Sequence, residues 1–187
     1  MGRGSDNSTR LDISPAELRA AAQRAQALPS PAPQNSGQPL LFLDVDGVIN
    51  CLNLLKGGHG EEIMTDKVTV CLPHGIRARL KRLDEVFEII WTTAWFRFAN
   101  GLLRDMNCDI GPFEVLNWGD FKLDAILKRA QTMPWAFVDD EVDFELKQPH
   151  QQGFLLQRQQ MFLQTRSTVG LTDAEVDQLL AFAAKFS

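Results

Sequence analysis

Residues 40–50 read LLFLDVDGVIN, and they mark an abrupt change in the character of the chain. Four consecutive apolar residues, Leu40 to Leu43, lead directly into Asp44. Unbroken apolar runs of this length are typical of strands that are buried on both faces, as in parallel sheets. The stretch therefore predicts a central parallel strand with a carboxylate at its carboxyl end.

The rest of the chain alternates between strand-like and helix-like segments. The predicted strands cover 86–91, 113–116 and 135–138, with a fifth around Phe162 and Leu163, and helical spacing covers 76–83, 95–106, 121–130 and 172–182. The last helix begins with the capping-box pair Thr172 and Glu175. Strands that alternate with helices predict right-handed βαβ units. We therefore expect an α/β fold, a three-layer Rossmann-like sandwich with a central parallel sheet.

Composition narrows the class of protein. The chain has 187 residues, of which 44% are hydrophobic, so it is long enough to bury a core. Its formal net charge of −5 gives no broad positive field for nucleic acid or anionic membranes. No apolar stretch approaches the ~18 residues of a membrane helix. Three cysteines without a CxxC pair do not suggest a disulfide framework. We expect a cytoplasmic protein without a membrane partner.

The N-terminal residues 1–38 differ from the remainder and are rich in Ala, Ser, Pro, Gln and Asn. Ser14 and Pro15 form a helix start, and a short helix to Leu28 would be followed by a Pro-rich linker. We expect a flexible segment over 1–38 and a folded catalytic domain over 39–187. A docking helix is the alternative for the N-terminal segment.

Polar side chains follow several of the predicted strands. In open parallel sheets, ligands bind beyond the carboxyl ends of the strands. The side chains expected at that edge are Asp44, Asp46, Thr92, Thr93, Lys122, Asp139 and Asp140. Four clustered carboxylates repel one another and need a cation, and an oxygen-only ligand set favours Mg²⁺.

This set of groups suits phosphoryl transfer. A carboxylate can attack phosphorus to form an aspartyl-phosphate, which divides one difficult step into two easier ones. A second carboxyl can protonate the leaving oxygen and later deprotonate the attacking water. A hydroxyl and an ammonium can hold the phosphoryl oxygens. The sequence therefore predicts magnesium-dependent chemistry on a phosphorylated substrate.

The same residues carry a family resemblance. Residues 41–50 resemble the first motif of the haloacid dehalogenase superfamily, 89–93 the second, Lys122 the third and 136–140 the fourth. The resemblance covers about residues 40 to 187. Each motif alone is a common pattern, but four in the family's order are a stronger signal.

A smaller group within the superfamily is also similar. It consists of small bacterial members without a large cap domain, some of which are linked to RNA-repair proteins. The matching stretches are 91–95 with Ala99 and Asn100, and 169–172 before the last helix.

The resemblance implies a role for each carboxylate. Asp44 would be the nucleophile and a metal ligand, and Asp46 the general acid/base, which also binds the metal through its backbone carbonyl. Asp140 would be a metal ligand with Asp139 in support, and Asp143 an outer partner. Because the second aspartate is present, the resemblance implies a phosphatase (a phosphoric monoester hydrolase) and not a dehalogenase.

The hydroxyl and the substrate contacts leave alternatives open. Thr93 or Thr92 would bind phosphate; the resemblance favours Thr93, and the strand end alone permits Thr92. Lys122 would orient the nucleophile and the phosphoryl group. The candidate substrate-binding residues are Gly47, Ala94 and Trp95, and Trp95, Trp118 and Trp135 could stack on a base or pack in the core.

The lengths of chain between the motifs indicate which kinds of substrate can reach the site. The chain leaves no room for a large cap, and residues 56–60 suggest a mobile loop tip, so we expect an open site. A macromolecular substrate, such as a nucleic-acid end or a protein, is compatible with that site, as is a small phosphate ester. The alternative functions are a non-catalytic metal-binding or regulatory module and a phosphotransferase.

Overall fold

The computed structural model describes residues 36–51, 60–65, 68–96, 98–148 and 159–186. The predicted N-terminal helix and the loop at 56–59 lie outside these residues. The strands are β1 (Leu40–Leu43), β2 (Gly60–Met64), β3 (Thr69–Pro73), β4 (Glu88–Trp91), β5 (Glu114–Val115), β6 (Trp135–Asp139) and β7 (Gln160–Gln164). The helices are α1 (Ile76–Asp84), α2 (Phe98–Asp105), α3 (Lys122–Ala130), α4 (Val142–Leu146) and α5 (Asp173–Ala183).

Five strands form one sheet in the order β5-β4-β1-β6-β7, and every neighbouring pair is parallel. The connection that follows β1 leads toward β4, whereas the one that follows β6 leads toward β7. Adjacent strands whose connections leave in opposite directions form a topological switch point, where ligands bind in open α/β sheets. The crevice between the ends of β1 and β6 is such a point.

Both faces of the sheet are covered, because successive residues of β1 point to opposite sides. Leu41 and Leu43 belong to an apolar cluster with residues of α1, α2 and α5. Leu40 and Phe42 belong to a second cluster with residues of α3 and α4. The predicted α/β architecture, a parallel sheet between two helical layers, is confirmed.

The segment between β1 and β4 contains an antiparallel hairpin of β2 and β3, followed by α1. Residues 44–51, which follow β1, are called the first loop. The hairpin is fixed to the end of this loop, because Cys51 N donates to Cys71 O at 2.8 Å. The two strands of this hairpin were not predicted from the sequence. The three cysteines are free thiols.

Two helix starts illustrate how local chemistry sets the boundaries. The Thr172–Glu175 capping box is present at the start of α5, as predicted. The helix predicted from Trp95 begins instead at Phe98. Phe96 has a φ of +48°, which is incompatible with helix, and residues 94–96 form a turn. Among the described residues, no helix is long and apolar enough to cross a membrane.

Candidate active site

The centre of the site is an ammonium between two carboxylates. Lys122, the first residue of α3, lies 2.5 Å from Oδ2 of Asp44 and 2.7 Å from Oδ2 of Asp139. Asp44 follows β1 and Asp139 ends β6, so the two carboxylates flank the switch point of the sheet. All three side chains are largely buried, with exposed fractions of 13% for Lys122, 10% for Asp44 and 1% for Asp139.

Burial and charge oppose each other in this centre. Burial raises the pKa of Asp44; the ammonium of Lys122 lowers it, and the charge of Asp139 raises it further. The net shift of the Asp44 pKa is upward. Burial acts to lower the pKa of Lys122, but its two ion pairs outweigh burial, and the net shift is upward. Lys122 is therefore held as a cation, and it only partly offsets the effect of burial on the pKa of Asp44.

Asp140 completes a group of three carboxylates. Single oxygen atoms of Asp44, Asp139 and Asp140 lie within 4.8 Å of one another. Burial, followed by the charge of Asp139, raises the pKa of Asp140. Gly47 makes this approach possible: its φ is +70°, and a Cβ built on it would lie 2.2 Å from Asp140 Cγ. The glycine after the first motif therefore leaves the space that the Asp140 carboxylate occupies.

The donor set of this group fits a hard divalent cation. It contains carboxylate oxygens and no nitrogen or sulfur ligand, which is the preference of Mg²⁺, Ca²⁺ and Mn²⁺. With its three carboxylates ionised, the group and the Lys122 ammonium together carry a formal net charge of −2. A divalent cation would neutralise that charge. The residues that would hold it are Asp44, Asp139 and Asp140.

The two threonines after β4 make different contacts, although both are fully buried. The Thr92 hydroxyl faces its own strand and donates to Ile90 O at 3.5 Å. The Thr93 side chain faces Asp44 closely enough to lower the pKa of that carboxyl. Its Oγ1 also accepts from Trp95 N at 3.3 Å. Of the two hydroxyls, that of Thr93 therefore faces the nucleophile candidate.

Asp46 lies apart from the three-carboxylate group and is exposed. Its Oδ1 accepts from Asn50 Nδ2 and its Oδ2 from the indole Nε1 of Trp95, both at 2.8 Å. The indole of Trp95, which is half-buried, therefore contacts the candidate acid/base directly through this hydrogen bond. The prediction that four carboxylates meet at this edge is therefore wrong for Asp46. Three carboxylates form the group, and Asp46 is held apart from it by two hydrogen-bond donors.

The remaining predicted residues take varied positions. Ala94 is exposed in the turn before α2. Asp143 is exposed, and its carboxylate lies 3.5 Å from Lys147, outside the three-carboxylate group. Trp118 lies with its ring centroid 5.5 Å from Lys122 Nζ. Trp135 is a core residue, in edge-to-face contact with Phe42 and Phe162.

Two positioning contacts were not anticipated. Thr165, just after β7, donates from its buried hydroxyl to Gly47 O at 2.9 Å and so ties the first loop to the sheet edge. Its place after a strand is the same signal that identified Asp44, and it could have been found in that way. Glu145 of α4 accepts from Lys122 N and Leu123 N, both at 3.2 Å, and thereby caps α3. The residue before α3 is Phe121, whose side chain cannot accept a hydrogen bond from the helix N-terminus. The lack of a local capping side chain could have indicated that a distant residue caps α3.

Comparison of the sequence with models of known protein families and with curated proteins finds no match.

Proposed function

We propose that this chain is a magnesium-dependent phosphatase that hydrolyses phosphate monoesters through an aspartyl-phosphate on Asp44. The observation that carries the proposal is the ion-paired centre at the switch point, where the Lys122 ammonium bridges Asp44 and Asp139. A buried carboxylate beside a fixed cation and a hydroxyl is suited to attack a phosphoryl group whose charge the cation offsets. The order of the four motifs along the chain supports a relation to the haloacid dehalogenase superfamily.

The proposed reaction has two steps. In the first, an oxygen of Asp44 forms a bond to phosphorus while the bond from phosphorus to the leaving oxygen breaks, and Asp46 gives that oxygen a proton. In the second, Asp46 takes a proton from water, whose oxygen attacks phosphorus and releases the Asp44 carboxylate. Asp46 thus ends as it began, and ester and water become alcohol and phosphate.

Lys122 and Thr93 have complementary roles in this scheme. Lys122 orients the Asp44 carboxylate and offsets charge on the phosphoryl oxygens, and Thr93 offers its hydroxyl to one of those oxygens. Asp44, Asp139 and Asp140 would hold a Mg²⁺ ion, which when bound would neutralise charge on the phosphoryl group. These groups are fixed before substrate arrives, because the sheet and α3 position them.

The substrate class is a phosphate monoester that reaches an open site. The described residues between β1 and β4 form a hairpin and one helix, and Asp46 and Trp95 retain access to solvent. That access supports a site open to a phosphorylated macromolecule as well as to a small ester.

Hydrolysis of an aryl phosphate, measured with Mg²⁺ and with a chelator, tests the proposal. We expect turnover that requires Mg²⁺ and is lost in Asp44→Asn with the melting temperature retained. Phosphate transferred to an added alcohol in place of water would indicate a phosphotransferase. Absence of turnover with Mg²⁺ or Mn²⁺ on aryl and alkyl esters would reject the proposal and favour a non-catalytic module.

A further inference from the structure

The Asp46 carboxylate has a hydrogen-bond donor on each oxygen, and the two donors differ in how they are held. Asn50 belongs to the same loop and is 7% exposed. Trp95 comes from the turn after β4 and is half-buried. Asn50 is therefore a fixed neighbour of Oδ1, whereas Oδ2 faces the side that solvent and substrate can reach.

The orientation of the Asn50 amide is determined by two opposed contacts. Its Oδ1 accepts from Cys71 N at 3.1 Å, and its Nδ2 donates to Asp46 Oδ1 at 2.8 Å. Exchange of the amide nitrogen and oxygen would place donor against donor and acceptor against carboxylate, so one orientation satisfies both partners. Cys71 lies in β3 and is fixed by its pairing with Glu62 in β2.

The backbone around Asn50 adds to this rigidity. Asn50 O accepts from Gly47 N at 2.8 Å, and the backbones of Asp46 and Asn50 form an isolated bridge. The neighbouring Cys51 N donates to Cys71 O at 2.8 Å. The side chain and the backbone of this loop are thus both attached to the β2–β3 hairpin.

We propose that Asn50 is a positioning residue that fixes the direction of the Asp46 carboxylate. The proposal rests on the proposed function, in which Asp46 transfers the proton. With Oδ1 held by Asn50, Oδ2 is the oxygen that gives its proton to the leaving oxygen as the phosphorus–oxygen bond breaks. The leaving oxygen then takes the place of the Trp95 indole N–H beside Oδ2. The loop and the hairpin together fix the orientation of the Asp46 carboxyl, which would otherwise rotate freely.

The test compares two esters in two variants. Asn50→Asp retains an acceptor for Cys71 N but removes the donor to Asp46, and Asn50→Ala removes both contacts. The measured quantity is kcat/KM for an alkyl phosphate and for an aryl phosphate at saturating Mg²⁺. This quantity reports only the steps through departure of the leaving group. An aryl leaving group needs little protonation, so its rate depends less on Asp46.

We expect both variants to lower kcat/KM for the alkyl ester by about tenfold more than for the aryl ester. This factor is smaller than the whole effect of a general acid, because Asp46 itself is still present. The control is Thr165→Val, which removes the hydrogen bond to Gly47 O on the same loop without touching Asp46. We expect it to lower both rates by the same factor. If Asn50→Asp, folded by circular dichroism, leaves the ratio of the two rates unchanged, Asn50 is only an anchor of the hairpin and this proposal fails.

Failure of the proposed function gives a different result. In that case the wild-type protein hydrolyses neither ester, and the positioning role fails with it. An active wild type whose two Asn50 variants lose both rates in equal proportion rejects the positioning role alone. If Asn50→Ala does not fold, the Asn50→Asp variant still decides, because it keeps the contact with the hairpin.

Discussion

The ammonium of Lys122 lies 2.5 Å from Oδ2 of Asp44, although the two residues are 78 positions apart in the chain. The same ammonium bonds Asp139 at 2.7 Å. One cation thus joins the end of β1, the end of β6 and the start of α3. Only folding brings these groups together. A variant of one of them therefore tests both its contribution to the free energy of unfolding and its proposed role in the reaction.

Replacement of Lys122 by Met should destabilise the metal-free protein by about 3 kcal/mol at neutral pH, because it leaves two buried carboxylates without their cation. Lys128→Met, the same change at an exposed position of α3, should alter stability by no more than about 0.5 kcal/mol. Urea denaturation in the presence of a chelator measures both values.

The loss in Lys122→Met should shrink as the pH is lowered. Lys122 lowers the pKa of Asp44, so its removal raises that pKa further above the ordinary value. When the pKa of a carboxyl is higher in the folded state than in the unfolded state, its protonated form stabilises the folded state. That stabilisation is fully present below the ordinary pKa and is lost as the pH rises through the raised pKa. Since the pKa of Asp44 is raised to about 7 with Lys122 in place, the extra loss in the variant develops above that pH. A loss that is equal at about pH 7 and about pH 9 would contradict the ion-paired centre.

Thr93→Val and Thr92→Val form a matched pair, since both residues are fully buried and adjacent. Removal of the Thr93 hydroxyl, which faces Asp44, should lower kcat/KM for an aryl phosphate by about a hundredfold. Removal of the Thr92 hydroxyl, which faces Ile90 O, should alter it by no more than about threefold. Steady-state kinetics with Mg²⁺ decide the matter, and a larger effect at Thr92 would assign the phosphate contact to the other hydroxyl.

The sequence was most informative where a residue follows a strand. The apolar run that ends at Asp44 and the segment that ends at Asp139 and Asp140 predicted both the central strands and the sheet edge where their carboxylates lie. This follows because burial on both faces leaves a strand no polar positions until it ends. The Thr172 capping box was equally direct, since its two partners are three residues apart.

Contacts between distant segments could not be predicted in the same way. Glu145 caps α3 from another helix, and Asn50 bonds Cys71 across 21 positions, so the sequence around Lys122 or Asn50 does not identify the partner. The choice between Thr92 and Thr93 depends on side-chain direction at the end of β4, which spacing alone leaves open. The delayed start of α2 depends on the Thr93–Trp95 hydrogen bond and the positive φ of Phe96.

Gly47→Ala should weaken metal binding more than it weakens the fold. A Cβ at position 47 would lie 2.2 Å from Asp140 Cγ and displace that carboxylate. Gly75→Ala is the control, because Gly75 has a similar φ of +78° but only the Arg79 side chain nearby, at 3.5 Å. Both variants carry backbone strain of about 1 kcal/mol, and only Gly47→Ala crowds a proposed ligand.

The measurement for this pair is the rise in melting temperature that Mg²⁺ produces. A ligand at a hundredfold excess over its Kd adds about 2.7 kcal/mol to stability. Wild type and Gly75→Ala should give equal rises, and Gly47→Ala and Asp140→Asn smaller ones. Sodium chloride at the same ionic strength serves as the control for screening, and equal rises with both salts would leave the metal site without support.

Removal of residues 1–35 should leave the melting temperature within about 2 °C of the full chain and the turnover unchanged. The described fold keeps its own contacts at this end, where Leu40 N donates to Pro134 O and Gln38 Nε2 to Glu85 O. Thermal denaturation and aryl phosphate hydrolysis measure the two effects. A marked loss of either would instead indicate that the N-terminal segment docks on the domain.

A phosphoryl group on Asp44 is the intermediate that defines the proposed reaction, and its detection is the decisive experiment. Asp46→Asn should accept phosphate from an aryl ester, whose leaving group needs little protonation, but should release it slowly because the base is lost. Acid quenching, proteolysis and mass spectrometry locate the adduct. We expect a phosphorylated peptide with the modification at Asp44, formed only with Mg²⁺ and removed by hydroxylamine. An adduct at another residue, or none while the wild-type protein hydrolyses the same ester, would contradict the proposed reaction.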